Sequence, residues 1–372
     1  MKTFFPAFRR GVPSWVFWFL PLAALALAPL VVEPFRLGIL GKFLAYAIAA
    51  EALNLLWGYT GILSLGHGVY FALGAYVMAF YLKLQSGEIP DFMVWSGLTE
   101  IPRFINILRH PWAAFPLVFL LPSAFALLIG LPTFRSNIKG VYFTILSQAL
   151  ALAISILFVG LQPYTGGTNG ITNFRGFFGV STRRPEMVRA MYFLTLAFLS
   201  AVVYLCSRLL KTRAGKVLIA IRDGENRLRF LGYNPMYYKL AVYVFSAGLT
   251  GLAGALFVPQ AGIISPSSMG ILPSVEMAVW VAVGGRATLF GPVIGAVAVN
   301  LAKTFLSEGF PNYWLYFLGA LFIGSILFFP NGIMGIRRTL KNRGLNKRSA
   351  GEGAPEKPAK PAAAGTAAGE ES

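Results

Sequence analysis

The chain has 372 residues, of which 56% are hydrophobic and only 12% charged, about half the charge of a soluble fold, so lipid rather than water is its expected solvent. The 32 Lys and Arg against 14 Asp and Glu give a net charge of +18, but the basic residues sit at the ends of apolar runs, a positive-inside pattern that argues against nucleic-acid binding. A single cysteine, Cys206, and two histidines, His67 and His110, exclude a disulfide framework and a Cys- or His-based metal centre.

Lys2, Arg9 and Arg10 precede an apolar run from Ser14 to Val32. Ala26-Leu27-Ala28 imitates a cleavage site, yet the run is long enough to span and more spans follow, so an uncleaved first helix is expected. The apolar runs predict about ten spans, near residues 14–32, 38–57, 61–82, 113–131, 140–161, 190–210, 237–259, 272–285, 290–307 and 313–330. Lys and Arg place the N-terminus, the turn near Gly58, Arg135 with Lys139, the 211–239 loop, Arg286 and the tail in the cytoplasm. The loops 33–37, 83–112, 162–189, 260–271 and 308–312 fall outside. Of these, 162–189 fits least well, with Arg175, Arg183, Arg184 and Arg189 against Glu186. The expected fold is an all-α integral membrane protein of about ten transmembrane helices, both termini cytoplasmic, with a transmembrane domain over 1–336. Residues 337–372 begin basic and end as Ala, Gly, Pro, Lys and Glu of low complexity, which predicts a disordered tail. Its basic start reads as a positive-inside stop or a contact with anionic headgroups.

Four internal segments carry candidate functional residues. From Trp57 to Ala75, Gly58, Gly61, Gly66, Gly68 and Gly74 interrupt an apolar run that also holds Ser64 and His67. Such a pattern suits close helix packing, or a broken helix whose free backbone groups line a path. Pro163-Tyr-Thr-Gly-Gly-Thr-Asn-Gly-Ile-Thr is an outer turn in which Thr165, Gly167 and Asn169 offer donors and acceptors. Glu276 lies in an apolar run near its outer start, and an intramembrane acid is a functional candidate by default. Glu51, Asn54 and Gln148 are similar polar residues within spans, fitted either to helix–helix hydrogen bonds or to substrate. Val283 to Ala296 joins two Gly-rich stretches through Arg286 and reads as a tight cytoplasmic re-entry, with a faint echo of the first glycine segment.

The segment 211–239 builds a helix of its own. Val217, Ala220, Ile221, Gly224, Leu228 and Leu231 fall on one face, and Arg222, Asp223, Glu225, Asn226, Arg227 and Arg229 cover the rest. Asp223 with Arg227 and Glu225 with Arg229 are i,i+4 pairs with the acid first. Gly232 suits a C-cap, and Pro235 prevents continuation. A loop joining two spans needs no such helix, so something is expected to dock on it. The chain carries no phosphate-binding Gly-rich loop followed by Lys, no metal pair and no nucleophile beside a base. No cofactor is expected, and the chain is not expected to be an enzyme.

These residues resemble the permeases of the branched-chain amino acid class of ABC importers, and most closely the urea-type subfamily. The resemblance rests on LNLLWGYTGILSLGHGVYFALGAYVMAFYL (53–82), DFMV (91–94), FRSNIKGVYFTILSQAL (134–150), GGTNGIT (166–172), RAGKVLIAIRDGENRLRFLGYN (213–234), the run from 237 to 266, VGGRATLFGPVIGA (283–296) and FFPNGIMG (328–335). Thr168 departs from the pattern, which has Asn there. The resemblance implies a subunit of a bacterial inner membrane that pairs with a second homologous permease, two cytoplasmic ATPase subunits and a periplasmic substrate-binding protein. It implies a coupling helix at about 217–232, with Ile221, Arg222, Asp223, Glu225, Asn226, Arg229 and Gly232 taking part in the ATPase contact. The implied substrate is urea or a short amide, the alternative a branched-chain amino acid. From another class, a secondary transporter, which would need an intramembrane ion or proton site, or a facilitator working without an ATPase, which would need no coupling helix, remains.

Overall fold

The computed structural model describes residues 14–310 apart from 139, 175, 178–183, together with scattered residues between 313 and 334; side chains are described from Leu22 onward. The expected tail at 337–372 and most of the expected span at 313–330 lie outside these residues. The elements are α1 (Ser14–Val31), α2 (Pro34–Thr60), α3 (His67–Leu84), the short α4 (Asp91–Trp95) and α5 (Arg103–Asn106), α6 (Pro111–Arg135), α7 (Val141–Gly160), the short α8 (Gln162–Thr165), α9 (Pro185–Lys211), α10 (Arg213–Phe230), α11 (Pro235–Ala261), α12 (Ile271–Gly284) and α13 (Gly291–Gly309). Two short strands, β1 (Ile171–Thr172) and β2 (Ile263–Ile264), pair antiparallel with Ile171 opposite Ile264. Among the described residues, α2, α6, α7, α9 and α11 are long and apolar enough to cross a membrane.

The centre of the bundle is α2, α3, α6 and α11. Small residues let these helices touch through their backbones. A side chain at Gly74 would meet the Gly251 carbonyl, and one at Gly254 would meet the Phe71 carbonyl oxygen and, at 3.1 Å, the Ala75 nitrogen. Such contacts are how helices associate where lipid removes the hydrophobic drive. Gly254→Val is therefore expected to lose the folded protein from the membrane, measured by size-exclusion of a fluorescent fusion, because the obstacle is backbone that cannot turn aside.

Two helices set the frame. Both α2 and α11 have 27 residues, begin with Pro in the first turn, and end on a glycine in the left-handed region, Gly61 at φ 81° and Gly262 at φ 73°. Each glycine N–H returns to the carbonyl four residues back, Trp57 and Val258 respectively, the single-bond form of a glycine cap. The two helices run antiparallel: Gly41 faces Gln260, and Ala52 faces Ser246. After each cap comes a non-helical stretch and then another helix, α3 or α12. The likeness of α2–α3 to α11–α12 stands beside the one the glycine echo suggests, since 283–296 likewise runs from the end of α12 through a break to the start of α13 at Gly291.

Two expected spans are corrected. The span expected from Gly61 starts only at His67, because 61–66 is not helical. His67 lies against Ser246, the twelfth residue of α11, about 16 Å along that helix at 1.5 Å per residue. The span expected at 272–285 is the 14-residue α12, about 21 Å long, too short for a hydrocarbon core of about 30 Å. It is buried in protein through Met277–Ala282 instead of facing lipid.

Candidate functional site

The break between α2 and α3 is held by side chains from distant helices. Thr144 Oγ1 donates to the Leu63 carbonyl at 2.9 Å, and the Leu65 N–H donates to Ser147 Oγ at 3.0 Å. The Gly68 N–H donates to Ser274 Oγ at 3.0 Å. Unwound backbone survives at such depth only when its polar groups find partners of this kind.

At the start of α3 a polar cluster is sealed from solvent. Ser64, His67 and Ser246 are fully buried. His67 Nε2 lies 2.9 Å from Ser246 Oγ, which lies 2.5 Å from the Ala52 carbonyl. The carbonyl only accepts, so the serine proton points to it and His67 Nε2 carries the hydrogen. That leaves His67 Nδ1 as a bare acceptor with no partner among the described residues. The hydroxyls of Tyr70 and Tyr243 hydrogen-bond to each other, and both rings meet the His67 ring edge-on. Sequence reasoning found Ser64 and His67 but missed Tyr70, Tyr243 and Ser246, which look like ordinary span residues until the fold brings them together.

The other sequence candidates disperse. Asn54 serves a turn: it donates to the Thr288 carbonyl at 2.9 Å and accepts from the Ala287 N–H at 3.0 Å, while Arg286 stacks over Trp57 at 4.9 Å. Glu51 accepts a weaker bond from Asn54 at 3.3 Å. Thr165 closes the end of α7, donating to the Phe158 and Leu161 carbonyls, and Gly167 follows it with its N–H on the Thr165 hydroxyl. Asn169 is exposed and Gln148 half-buried on α7. Glu276 does not reach water as its place near the span's start suggests. It is 8% exposed and both its oxygens accept from Lys303 Nζ of α13, at 2.7 and 3.0 Å.

The helix expected at 217–232 begins earlier and breaks. Thr212 caps α10 by accepting from the Gly215 N–H at 3.2 Å. At Gly224 the backbone is extended (φ 178°, ψ 76°). The break removes the expected Asp223–Arg227 pair, since i,i+4 neighbours meet only on continuous helix; Asp223 instead pairs with Arg222 at 2.9 Å. Glu225 and Arg229 lie beyond the break and do pair, at 3.0 Å. Gly232, at φ 82°, ends the helix with its N–H on the Arg229 carbonyl and the Tyr233 N–H on that of Leu228, the two bonds of a Schellman cap.

Inward and outward faces of α10 differ from the sequence assignment. Val217, Leu218, Ile221 and Leu228 are buried. Arg222 Nη1 donates to the Gly58 carbonyl at the end of α2, Glu225 accepts from Lys239 of α11 at 2.6 Å, and Arg229 donates to Asn137 after α6. Ile221, Arg222 and Glu225 therefore fasten α10 to the bundle. Facing out are Asp223, Asn226, Arg227 and Arg229, with Phe230 and Leu231 at 92% and 74% exposure. Between α10 and the bundle lies a cavity of about 150 Å³, lined by Gly61, Ile62, Phe143, Arg222, Glu225 and Lys239 among others.

The described residues thus form a helical bundle with unwound interior segments, and among them no group of His, Cys, Asp or Glu is placed to hold a metal. The family profile described as the permease component of branched-chain amino acid transport systems matches residues 35–326. The chain belongs to this family of ABC-type permease subunits. It is similar to the high-affinity branched-chain amino acid transport permease LivM of Salmonella typhimurium, 26% identical over 91% of this chain and 79% of that protein. LivM of Escherichia coli is 25% identical over the same shares. The galactose/methyl galactoside import permease MglC of Salmonella typhimurium is 26% identical over 45% of this chain and 51% of its own length. No solved structure matches.

Proposed function

We propose that this chain is the transmembrane subunit of an ATP-driven importer for branched-chain amino acids. The observation that carries this reading is the family match from 35 to 326, which takes in α2 to α13 and α10 with them. In the proposed arrangement the protein crosses a bacterial inner membrane several times, with α10 in the cytoplasm. A second homologous permease completes the path, two ATPase subunits drive it, and a periplasmic binding protein delivers substrate. The ATPase contact is the outward part of α10, where the exposed Phe230 and Leu231 lie beside Arg227 and Arg229, and aromatic residues and Arg are enriched at interfaces. Arg222 and Glu225 then transmit the stroke: they join α10 to the ends of α2 and α11, and so to the Gly61 hinge. Substrate moves by alternating access, with no covalent step on this chain.

A second reading, urea or a short amide as cargo, rests on the resemblance of LSLGHG together with DFMV, the latter forming α4. Uptake of labelled leucine by cells carrying the full importer separates them. Excess isoleucine and valine should abolish the uptake while excess urea leaves it unchanged. Uptake of labelled urea that survives excess leucine would replace the first reading by the second.

A further inference from the structure

One stripe of α7 touches both unwound segments. Thr144, Ser147, Ala151 and Ser155 recur at helical spacing on one side. Thr144 and Ser147 bind the 61–66 segment at Leu63 and Leu65. About two turns past Ser147, Ser155 Oγ donates to the Pro266 carbonyl at 3.0 Å. Pro266 opens the 3-10 turn Pro266–Met269, within the stretch that follows the Gly262 cap. The second segment packs on the start of α3, where a side chain on Gly68 would lie 3.0 Å from the Ser268 carbonyl and 2.8 Å from Ser274 Oγ.

The rest of α7 is loosely held. Only 17% of its apolar window is buried against 72% for α11, and its closest packing is on the Pro266–Met269 turn. Besides these hydroxyl bonds α7 packs through Phe143 on Phe134 of α6 and Tyr243 of α11, and through Phe158 on Tyr76 of α3, side-chain contacts that part more readily than the backbone-to-backbone packing of α3 on α11. The 61–66 segment also begins at the cavity that Arg222 and Glu225 line, so movement of α10 reaches it directly through the Arg222–Gly58 bond.

We propose that 61–66 and 263–270 are the inner and outer gates of the permease, each latched to α7 by its hydroxyls: Thr144 and Ser147 for the inner gate, Ser155 for the outer. The substrate path then runs along the Thr144–Ser155 stripe, and this structure is the state with both latches closed. The assignment of inner and outer rests on the importer reading; the independence of the two latches does not.

The test uses the full chain in its native importer, with Cys206→Ser to remove the one native thiol. A reporter cysteine is placed at one buried position in each gate, Ser64→Cys or Met269→Cys, both at 0% exposure. Labelling by a membrane-impermeant maleimide is followed from each side of inverted and right-side-out vesicles. Ser147→Ala should raise labelling at position 64 roughly fivefold, the worth of one net hydrogen bond, and leave position 269 unchanged. Ser155→Ala should do the reverse. Equal labelling throughout, or both reporters rising with either variant, would overturn the latches. Labelling of position 64 only from the periplasmic side would overturn the inner and outer assignment instead. Loss of ATP-dependent leucine uptake in the Cys206→Ser parent, with the latch pattern intact, would count against the importer reading and not against the latches.

Discussion

Lys303→Met is expected to destabilise the protein by roughly 3–5 kcal/mol, the cost of stranding a buried charge. Glu276 sits in α12 almost without solvent and receives two bonds from the Lys303 ammonium. Without that cation the carboxylate loses both of these hydrogen bonds. The ion pair itself is a weak source of net stability, since both groups leave water to form it. The double variant Glu276→Gln with Lys303→Met should therefore recover most of the loss. Thermal melting in detergent, followed by size-exclusion of a fluorescent fusion, reads all three proteins. A single variant that melts with the parent would show that the pair does not carry a buried charge. The reading also applies to function, because α12 is short, buried and placed directly after the 263–270 segment, so a shift of α12 moves Ser274 away from the Gly68 N–H.

Replacing Phe230 and Leu231 together by glutamate should abolish assembly with the ATPase subunits, a loss on the order of a thousandfold if each anchor is worth about 2 kcal/mol. The amount of chain in the membrane should not change, because neither side chain packs on the bundle. Replacement of Arg222, Asp223 and Glu225 by alanine should give a different defect. Two of these residues fasten α10 to α2 and α11, so the ATPases should still bind and hydrolyse ATP while uptake is lost. Co-purification and uptake, measured on both variants, separate docking from transmission. If the triple variant loses the ATPases and the Phe230–Leu231 variant keeps them, the two faces of α10 have been assigned the wrong way round.

The long helices were legible because lipid demands unbroken apolar runs, and α6, α7, α9 and α11 fall within a few residues of their expected spans. The break at 61–66 had only half a signal. Its glycines allow it, but Ile62, Leu63 and Leu65 are as apolar as any span, and the groups that stabilise it lie 81, 82 and 206 residues away. On α10 the stop at Gly232 and Pro235 was plain from local chemistry. The break at Gly224 was hidden, since a glycine on the apolar face of a helical pattern reads as part of that face. The inward turn of Arg222 depends on where α2 ends, which no local pattern carries. Lys303 is the clearest missed residue, and it had a signal: an acid in one apolar run and a base in the next are expected to pair across a hairpin.

The central claim is that this chain moves substrate only when an ATPase drives it through α10. Proteoliposomes containing the chain and its partner permease, with and without the ATPase subunits, test it directly. The binding protein and labelled leucine are placed outside, and ATP inside. The account predicts uptake only with the ATPases and ATP, and none with the Phe230 and Leu231 replacements. Uptake by the permease pair alone, down a gradient or with an ion, would contradict it.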